Sequence, residues 1–265
     1  MDLQLSGRTA LVTGSTAGIG FAIAAGLARE GAKVIVNGRS QGRVDEAVAR
    51  IRATDAGASL DGIAADAGTA EGAAVIQARF PAVDILVNNL GIFEPKPFFD
   101  IPDEDWRRFF DVNVLSGIRL SRAYGPGMAD RKWGRILFVS SESAINIPRE
   151  MIHYGMTKTA QLAVARGLAT ELAGTGVTVN SILPGPTRTE GVTTFIDQLN
   201  AGSSKTEAEI ERDFFREARP SSLIQRFATP EEIASLAVYL CSALASATTG
   251  SALRVDGGLI SAITP

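Results

Sequence analysis

Residues 9–20 read TALVTGSTAGIG, a short apolar run that leads directly into a glycine-rich turn. The run Thr9–Thr13 predicts a buried strand, and an Ala-rich stretch after the turn predicts a helix. Gly14 permits a sharp turn, Gly18 lets the backbone approach a pyrophosphate, and Gly20 lets the helix pack closely on the strand. The free N–H groups and the positive dipole end of such a helix favour an anion. The stretch predicts a dinucleotide-phosphate site, and it is not a P-loop because no Gly-Lys-Ser/Thr follows.

The same alternation of short apolar runs and helical stretches continues through most of the chain. The predicted strands are Thr9–Thr13, Lys33–Asn37, Ser59–Ala65, Val83–Val87, Arg135–Ser140, Val177–Leu183 and Ala252–Val255. The predicted helices are Gly18–Glu30, Gln41–Ala53, Thr69–Arg79, Asp103–Ala129, His153–Ala173 and Pro230–Ala243. Continuous apolar strands between helices are typical of a parallel sheet covered on both faces. We therefore predict an α/β fold, a single doubly wound Rossmann-type domain over residues 1–265 with about seven parallel strands.

Residues 190–222 interrupt this alternation. The segment is polar and charged, and it carries Phe195, Phe214 and Phe215. Long insertions beyond a strand end often carry substrate contacts in α/β enzymes. We interpret residues 190–222 as a substrate-lid insertion within the single domain. The alternative is a solvated excursion that packs on its own aromatic side chains.

The composition excludes several classes of protein. The 265 residues include 26 Lys and Arg, 29 Asp and Glu, one His and one Cys. A lone cysteine, Cys241, cannot form an internal disulfide, and with a single histidine, His153, we predict no metal site. We interpret Cys241 as core filling and His153 as a helix-start residue. The net charge of −3 gives no electrostatic reason to bind nucleic acid or an anionic membrane.

Two stretches are candidates for a signal peptide or a membrane-spanning segment. Residues 1–8 have no basic segment followed by an apolar one, so they do not resemble a signal peptide. The uncharged stretch Ile233–Leu253 is interrupted by Ser, Thr and Gly, which favours a buried helix and a turn over a membrane span. We therefore expect a cytoplasmic protein without membrane contact.

The end of the second predicted strand bears on the choice of cofactor. The sequence there is Asn37-Gly38-Arg39-Ser40, which contains a cation and no carboxylate. A ribose 2′-hydroxyl is usually held by an acid at this point, whereas a 2′-phosphate needs a cation. We therefore favour NADP(H), with NAD(H) as the alternative if Arg39 is an ordinary surface residue. Asp66, after the third strand, is a candidate acceptor for the adenine amine, with a helix cap as its alternative role.

Three polar residues are candidates for the chemistry. Tyr154 and Lys158 lie four residues apart at the start of a predicted helix and so share a face. An adjacent ammonium favours phenolate, and we expect it to bring the phenol pKa down from roughly 10. Ser141 ends the fifth predicted strand. Because ligands bind outside the carboxyl ends of parallel strands, we expect these groups to meet at the edge that carries the glycine-rich turn.

Several motifs occur together in one order along the chain. They are Thr13–Gly20, Asn88-Asn89-Leu90-Gly91, Asn113, Ser141, Tyr154-Gly155-Met156-Thr157-Lys158 and Pro184-Gly185-Pro186-Thr187-Arg188-Thr189. In this order they resemble the short-chain dehydrogenases/reductases, over nearly the whole chain from about Gly7 to Gly258. The closest resemblance is to the 3-oxoacyl-carrier-protein-reductase-like branch, in which many members reduce other carbonyl substrates.

The resemblance implies a role for each catalytic candidate. Tyr154 would donate a proton to the carbonyl oxygen in reduction, or accept it in oxidation. Lys158 would lower the pKa of Tyr154 and hold the nicotinamide ribose hydroxyls. Ser141 would hydrogen-bond the substrate oxygen, and Asn113 would organise a water-linked proton relay to Lys158. The implied activity is hydride transfer between nicotinamide and a ketone or secondary alcohol.

The resemblance also implies a set of cofactor contacts and an assembly. The expected contacts are Gly14, Ser15, Thr16, Gly18, Ile19, Gly20, Arg39, Asp66, Asn89, Gly91, Tyr154, Lys158, Pro184, Gly185, Thr187 and Thr189. A homodimer or homotetramer is expected, formed through the long helices after the fourth and fifth strands. Two departures stand out. Leu90 replaces the family's Ala and either crowds the ribose or repacks, and Glu142 either binds a cationic or hydroxyl-bearing substrate group or points to solvent.

The function expected from these residues is NADP(H)-dependent carbonyl reduction of a small molecule. An NAD-dependent secondary-alcohol dehydrogenase is the alternative enzyme, and a non-catalytic dinucleotide-binding sensor is the alternative of another class. The substrate stays open. Candidates for an apolar pocket are Phe93, Phe98, Phe99, Ile145, Ile147, Met151 and the aromatic residues of the lid.

Overall fold

The computed structural model describes residues 2–193 and 205–263. Its strands are β1 (Thr9–Val12), β2 (Lys33–Gly38), β3 (Leu60–Ala64), β4 (Ile85–Asn88), β5 (Gly134–Val139), β6 (Val177–Pro184) and β7 (Ala252–Val255). They form one seven-stranded sheet in the order β3-β2-β1-β4-β5-β6-β7, and every pair is parallel. The α/β fold class is therefore confirmed, with strand ends shifted by one or two residues.

Helices connect the strands and cover both faces of the sheet. They are α1 (Gly18–Arg29), α2 (Gln41–Thr54), α3 (Ala70–Arg79), α4 (Asp103–Phe110), α5 (Ser116–Asp130), α6 (Ile152–Glu171), α7 (Glu207–Glu217) and α8 (Pro230–Cys241). Residues 190–193 are also helical. Among the described residues, no helix is both long and apolar enough to cross a membrane.

The alternation of side chains along each strand supplies a core on either side of the sheet. Val12 packs into a fully buried cluster that also contains Leu27 of α1. Leu11, its neighbour along β1, points to the other face and packs with Ile35 of β2 and Leu120 of α5. Because successive side chains of a strand point to opposite faces, a strand covered on both sides reads as a continuous apolar run.

The predicted helix Asp103–Ala129 is interrupted in the structure. A π-helical turn, Asp111–Leu115, separates α4 from α5. The extra residue of a π turn displaces the usual hydrogen-bond ladder, and such turns are frequent at functional sites. The Val112 carbonyl here accepts a hydrogen bond from Ser116 Oγ at 2.6 Å. The π turn carries Asn113, a catalytic candidate.

The predicted insertion, residues 190–222, contains a helix that the sequence analysis missed. α7 begins with a capping box, in which Thr206 and Glu209 bond each other's backbone N–H. Phe215 is buried, and Phe214 stacks on Phe227 with ring centroids 5.0 Å apart. The remaining part of this prediction, residues 194–204 with Phe195, lies outside the described residues.

The strand order reverses between β1 and β4, which is where a doubly wound sheet opens a crevice. The chain leaves β1 toward β2 and β3 on one side, and it returns through α3 to β4 on the other. The loops at the carboxyl ends of β1, β4, β5 and β6 therefore meet over one edge of the sheet. Most of the predicted site residues lie in these loops.

Candidate active site

The glycine turn, residues 13–20, joins the carboxyl end of β1 to α1. Gly14 and Gly18 have φ angles of +61° and +56°, in the left-handed region that favours glycine. A Cβ on Gly20 would lie 2.4 Å from Asn89 Nδ2 and 2.5 Å from Gly14 O, closer than any side chain tolerates. The path of the backbone therefore requires glycine at all three positions.

Buried polar side chains stabilise the glycine turn from within the protein. Ser15 Oγ donates to Val12 O at 2.7 Å and accepts from Asn37 N at 3.0 Å. Asn37 Oδ1 accepts from Gly14 N at 3.3 Å. The Ser15 hydroxyl therefore ties the turn to β1 and β2, and the predicted contact of Ser15 with a cofactor stays a prediction.

Asn89 supports the same turn from the end of β4. Its Nδ2 donates to Thr13 O at 2.9 Å and to Gly14 O at 3.0 Å. Thr13 Oγ1 in turn accepts from Asn89 N and Leu90 N, both at 3.0 Å. The side chain of Leu90 packs against the core cluster that contains Leu11, so the substitution of the family's Ala is accommodated by packing within the protein.

The N-terminus of α1 lies at the end of the glycine turn and lacks a side-chain cap. Its N-cap residue is Ala17, and its first turn has no acidic residue. The N-termini of α3, α7 and α8 are instead capped by Thr69, Thr206 and Thr229. A helix N-terminus without a side-chain partner, approached through glycine, fits the pyrophosphate of a dinucleotide.

The end of β2 presents a cation beside the glycine turn. Arg39 follows Gly38 and is exposed, and it makes no hydrogen bond or ion pair with any residue that the structure describes. The nearby Arg43 pairs with Glu190 at 3.4 Å. A Cβ on Gly38 would lie 2.5 Å from Thr16 Cγ2, which means that Thr16 lies against the strand end from which Arg39 projects.

Asp66 does not cap the helix that follows it. Its Oδ1 accepts from Gly68 N at 2.9 Å, whereas Thr69 caps α3 by accepting from Gly72 N at 2.9 Å. The helix-cap alternative for Asp66 is therefore wrong. Asp66 is exposed and, with Val112, borders a cleft of about 620 Å³. Its contact with adenine stays a prediction.

Ser141, Tyr154 and Lys158 form a second cluster, called here the reaction face. Ser141 lies two residues beyond β5, and its hydroxyl is close enough to the Tyr154 phenol to affect the pKa of Tyr154. Tyr154 and Lys158 lie one turn apart on α6, and Lys158 Nζ is 5.6 Å from the centroid of the Tyr154 ring. The structure therefore brings these three side chains together, as the sequence predicts.

The electrostatics of the reaction face differ from the expectation. Burial raises the pKa of Tyr154, and the hydrogen bond from Ser141 offsets this in part. The Lys158 ammonium donates to the Val139 carbonyl at 3.0 Å, and its predicted effect on the pKa of Tyr154 stays a prediction. Burial lowers the pKa of Lys158 to about 8, opposed by the charge of Glu142.

Asn113 is held by bonds within the protein. Its side chain donates to Ile92 O and to Thr157 Oγ1, both at 3.0 Å, and accepts from Ile92 N at 2.8 Å. Its main-chain carbonyl, in the π turn, accepts from Gln161 Nε2 at 2.5 Å. Gln161 Oε1 lies 3.5 Å from Lys158 Nζ. The sequence analysis missed Gln161, although it lies three residues after Lys158 on the same helix face.

The loop after β6 lies beside the reaction face. Pro184, Gly185 and Thr187 line the same cavity as Tyr154. Thr187 Oγ1 donates to Gly185 O at 2.9 Å. A Cβ on Gly185 would lie 2.6 Å from Asp256 O, so the loop can run this close to the end of β7 only with glycine there.

Two further contacts join the glycine turn to the reaction face. A Cβ on Gly18 would lie 3.2 Å from Thr189 Cγ2, so the β6 loop closes over the turn. A Cβ on Gly91 would lie 3.3 Å from Lys158 Nζ, so the β4 loop passes directly over the lysine. The predicted cofactor residues at these positions are therefore neighbours in space.

A cavity of about 480 Å³ opens next to the reaction face. Among the predicted pocket residues, Phe93, Met151 and Phe214 line it, whereas Phe99 is 95% exposed. Ile19 of the glycine turn lines it as well. The cavity therefore extends between the two clusters and has mostly apolar walls.

The cavity also has a charged side, of which the sequence analysis identified only Glu142. Glu142 lines it and is 6% exposed, so the interpretation that it points to solvent is wrong. Arg219, from the segment after α7, reaches Glu142 at 3.7 Å and Glu150 at 3.4 Å. The sequence gives no signal for this group of three, because Arg219 lies about seventy residues further along the chain.

The single histidine and the single cysteine lie apart from the chemistry. His153 is buried against Phe109, with ring centroids 4.0 Å apart, and burial lowers its pKa. Cys241 is buried in the core cluster below α1, where burial raises its pKa to about 12. A neutral thiol in the core is a poor nucleophile.

The fold and the two clusters define a dinucleotide-binding oxidoreductase of the α/β class. A family model described as enoyl-(acyl carrier protein) reductase matches residues 14–260. The chain belongs to the short-chain dehydrogenase/reductase family, in its 3-oxoacyl-carrier-protein-reductase-like branch. It is an enzyme of the kind that acts on CH–OH or carbonyl groups.

Known proteins resemble the chain over nearly its whole length. It is 51% identical to an uncharacterized oxidoreductase, YvaG, of Bacillus subtilis, over 99% of this chain and all of that protein. It is 32% identical to the 3-oxoacyl-[acyl-carrier-protein] reductase FabG of Aquifex aeolicus, over 98% of this chain and all of that one. The L-sorbose reductase of Gluconobacter frateurii, solved with NADPH and L-sorbose, superposes with a TM-score of 0.93 at 33% identity, over 99% of this chain and all of that one.

Proposed function

We propose that the protein is an NADP(H)-dependent carbonyl reductase that interconverts a ketone and a secondary alcohol. The observation that carries the proposal is the convergence of Ser141, Tyr154 and Lys158 beside a cavity that extends to the glycine turn. A phenol, a hydroxyl and a cation at one wall of a cavity supply a proton donor, a hydrogen-bond donor and a charge, which is what reduction of a carbonyl requires of the protein.

In reduction, Tyr154 donates its phenolic proton to the carbonyl oxygen. Burial raises its pKa, so it stays protonated at neutral pH and is ready to donate. Ser141, whose single hydroxyl proton points to Glu142 in this structure, would turn that proton to the same oxygen and orient it by hydrogen bonding. A bound nicotinamide would supply the hydride to the carbonyl carbon. In oxidation, the phenolate form of Tyr154 accepts the proton instead.

The remaining residues of the two clusters would hold the cofactor. The backbone of the glycine turn and the N-terminus of α1 would bind the pyrophosphate. Lys158 would hold the ribose hydroxyls, and the loop after β6 would hold the carboxamide through residues 184–189. Asn113 would connect Lys158 to solvent for the return of the proton. The NADPH complex of the related L-sorbose reductase supports a nicotinamide dinucleotide in this place.

We propose NADP(H) over NAD(H) because Arg39 projects from the end of β2 without a described partner and no carboxylate stands beside it. Removing a charge-assisted bond to the 2′-phosphate costs on the order of 10–100-fold in affinity. Arg39→Ala should therefore lower kcat/KM for NADPH by that factor and leave kcat/KM for NADH unchanged. Arg43→Ala, one turn away and paired with Glu190, is the matched control. If the wild-type protein and Arg39→Ala both use NADPH and NADH equally well, the NAD-dependent dehydrogenase is favoured instead.

We also propose that residues 190–222 set the choice of substrate and that the chain assembles through α5 and α6. The described part of this segment contributes Phe214 and Arg219 to the cavity wall. A groove of about 490 Å³ lies between α5 and α6, with Pro126 and Leu168 among its apolar residues. Light scattering after size exclusion measures the expected mass of a dimer or tetramer.

A further inference from the structure

Glu142 has one satisfied carboxylate oxygen and one that is held loosely. Oε2 accepts three hydrogen bonds, from Ser141 Oγ, from Ser143 N at 2.7 Å and from Ser143 Oγ at 3.0 Å. Oε1 faces Arg219 Nε at 3.7 Å, which is too long for a hydrogen bond. Oε1 is not among the described buried atoms that lack a partner, so it is open to the cavity, where a donor on a ligand can reach it.

The position of Oε1 relates it to the reacting carbonyl. Glu142 lines the cavity together with Ser141 and Tyr154. Ser141 is the residue expected to hold the carbonyl oxygen, and the Glu142 carboxylate is in hydrogen-bond contact with the Ser141 hydroxyl. With a carbonyl oxygen held at Ser141, the substituent on the carbon next to the carbonyl would be the part of the substrate nearest to Glu142.

The chemistry of this corner selects a neutral hydrogen-bond donor. A carboxylate accepts hydrogen bonds and cannot donate them. The Glu142 carboxylate is itself negative, so an anionic substituent placed against Oε1 is repelled. A hydroxyl meets both requirements, since it donates to Glu142 and can accept from a guanidinium.

Arg219 has donors to spare. Its side chain is 14% exposed, and it lies 3.4 Å and 3.7 Å from the two carboxylates, against 2.7–2.9 Å for a tight ion pair. Its one close hydrogen bond among the described residues is from Nη1 to Ala218 O at 2.8 Å, so Nε and Nη2 are left for a ligand. The apolar residues Phe93, Met151 and Phe214 line the same cavity. In a partly enclosed, mostly apolar cavity a hydrogen bond to the carboxylate counts for more than in water.

We propose that the substrate is an α-hydroxy ketone, or in the reverse direction a vicinal diol, whose hydroxyl donates to Glu142 Oε1. The proposal rests on the carbonyl reductase function proposed above and names its substrate class. A β-ketoacyl thioester would place a methylene group against Oε1, displacing water from this oxygen without supplying a donor. The enzyme therefore discriminates against the plain ketone.

Hydroxyacetone and 2-butanone test this class, because they differ only in a hydroxyl against a methyl group on the carbon next to the carbonyl. The wild-type protein should reduce hydroxyacetone with a kcat/KM about 10–100-fold higher, the range for a buried hydrogen bond to a charged group. A wild-type protein that reduces both ketones equally well overturns the proposal and leaves the reductase function intact. A wild-type protein that reduces neither rejects the reductase function and the substrate class with it.

Glu142→Gln tests whether the preference for hydroxyacetone over 2-butanone comes from the Glu142 carboxylate. The donors around Oε2 hold the amide oxygen there, so the amide N–H₂ replaces Oε1 and no acceptor remains. We expect the preference to fall to about twofold or less, with kcat/KM for 2-butanone changed far less than kcat/KM for hydroxyacetone. Glu150→Gln, on the far side of Arg219 and 45% exposed, is the matched control and keeps the preference. An equal loss on both ketones in Glu142→Gln means a purely structural role and overturns the assignment.

Discussion

The glycine turn and the reaction face lie at the same edge of the sheet, but they use their polar side chains differently. In the glycine turn, the Ser15 hydroxyl and the Asn89 amide bond the backbone around them. The surface left for a ligand is the backbone and the N-terminus of α1. In the reaction face, Tyr154 is half-buried and Lys158 is buried, and both have pKa values moved away from their usual range.

Because of this difference, we expect the polar side chains of the glycine turn to contribute to folding stability and those of the reaction face to contribute to catalysis. The polar side chains of the glycine turn have satisfied hydrogen bonds, and such bonds contribute about 1 kcal/mol each to folding. The charged and titratable groups of the reaction face lose solvation when the chain folds, which costs free energy. Substitutions in the first region should therefore act mainly on stability, and substitutions in the second mainly on turnover.

The largest expected effect is that of Tyr154→Phe. The substitution removes the proton donor and keeps the ring, so kcat/KM for ketone reduction should fall by about 10³-fold. The dissociation constant for NADPH, measured by fluorescence titration, should change by about twofold at most. Retention of more than a tenth of the activity would show that Tyr154 is not the acid.

Tyr124→Phe is the matched control for that substitution. Tyr124 is buried, and its hydroxyl donates to Phe80 O at 2.9 Å, away from the cavity. Its loss should cost about 1 kcal/mol of unfolding free energy and leave kcat/KM unchanged. The opposite pattern in these two variants would break the contrast between structural and reactive side chains.

The sequence predicted the sheet well because local pattern determines it. Runs such as Lys33–Asn37 are apolar and β-branched between turn signals, and all seven predicted strands are present. The π turn at Asp111–Leu115 was missed because one extra residue barely disturbs an apolar pattern of helical period. α7 was missed because the charged residues around it resemble a loop, although the capping-box pair Thr206 and Glu209 indicates the start of a helix.

The candidate site was predictable where motif spacing places a residue and unpredictable where distant segments meet. Ser141 and Tyr154 were placed together correctly. The direction of the Tyr154 pKa was not, because desolvation depends on every residue packed around the phenol. Gln161 and Arg219 take part through contacts with Asn113 and Glu142, which only the folded chain brings into range.

The second expected effect tests the glycine turn through Gly20→Ala. The new Cβ would displace Asn89 Nδ2 and Gly14 O, both closer than 3 Å, and such overpacking costs about 1–3 kcal/mol. The loss is measured as unfolding free energy in urea. Gly42→Ala in α2 is the control: nothing lies within 4 Å of its Cβ, and Ala should stabilise the helix by about 0.5–1 kcal/mol. Unchanged stability in Gly20→Ala would mean that the turn does not need its close packing.

The smallest expected effect concerns the stability cost of the reaction face, which Lys158→Met measures. Lys158 has a pKa of about 8 in the folded protein, against its usual 10.5. Between these two values the unfolded chain binds more protons than the folded one, so the unfolding free energy rises with pH. The rise between pH 7.5 and 9.5 should be about 2 kcal/mol larger in the wild-type protein than in Lys158→Met. Taking the difference between the two proteins removes the contributions of the other titrating groups and of the hydrogen bond to Val139 O, which is lost at both pH values.

Lys33→Met, at a half-exposed lysine, should keep the wild-type rise. If Lys158→Met keeps it as well, the ammonium is solvated in the folded protein, and the reaction face costs no more stability than the glycine turn.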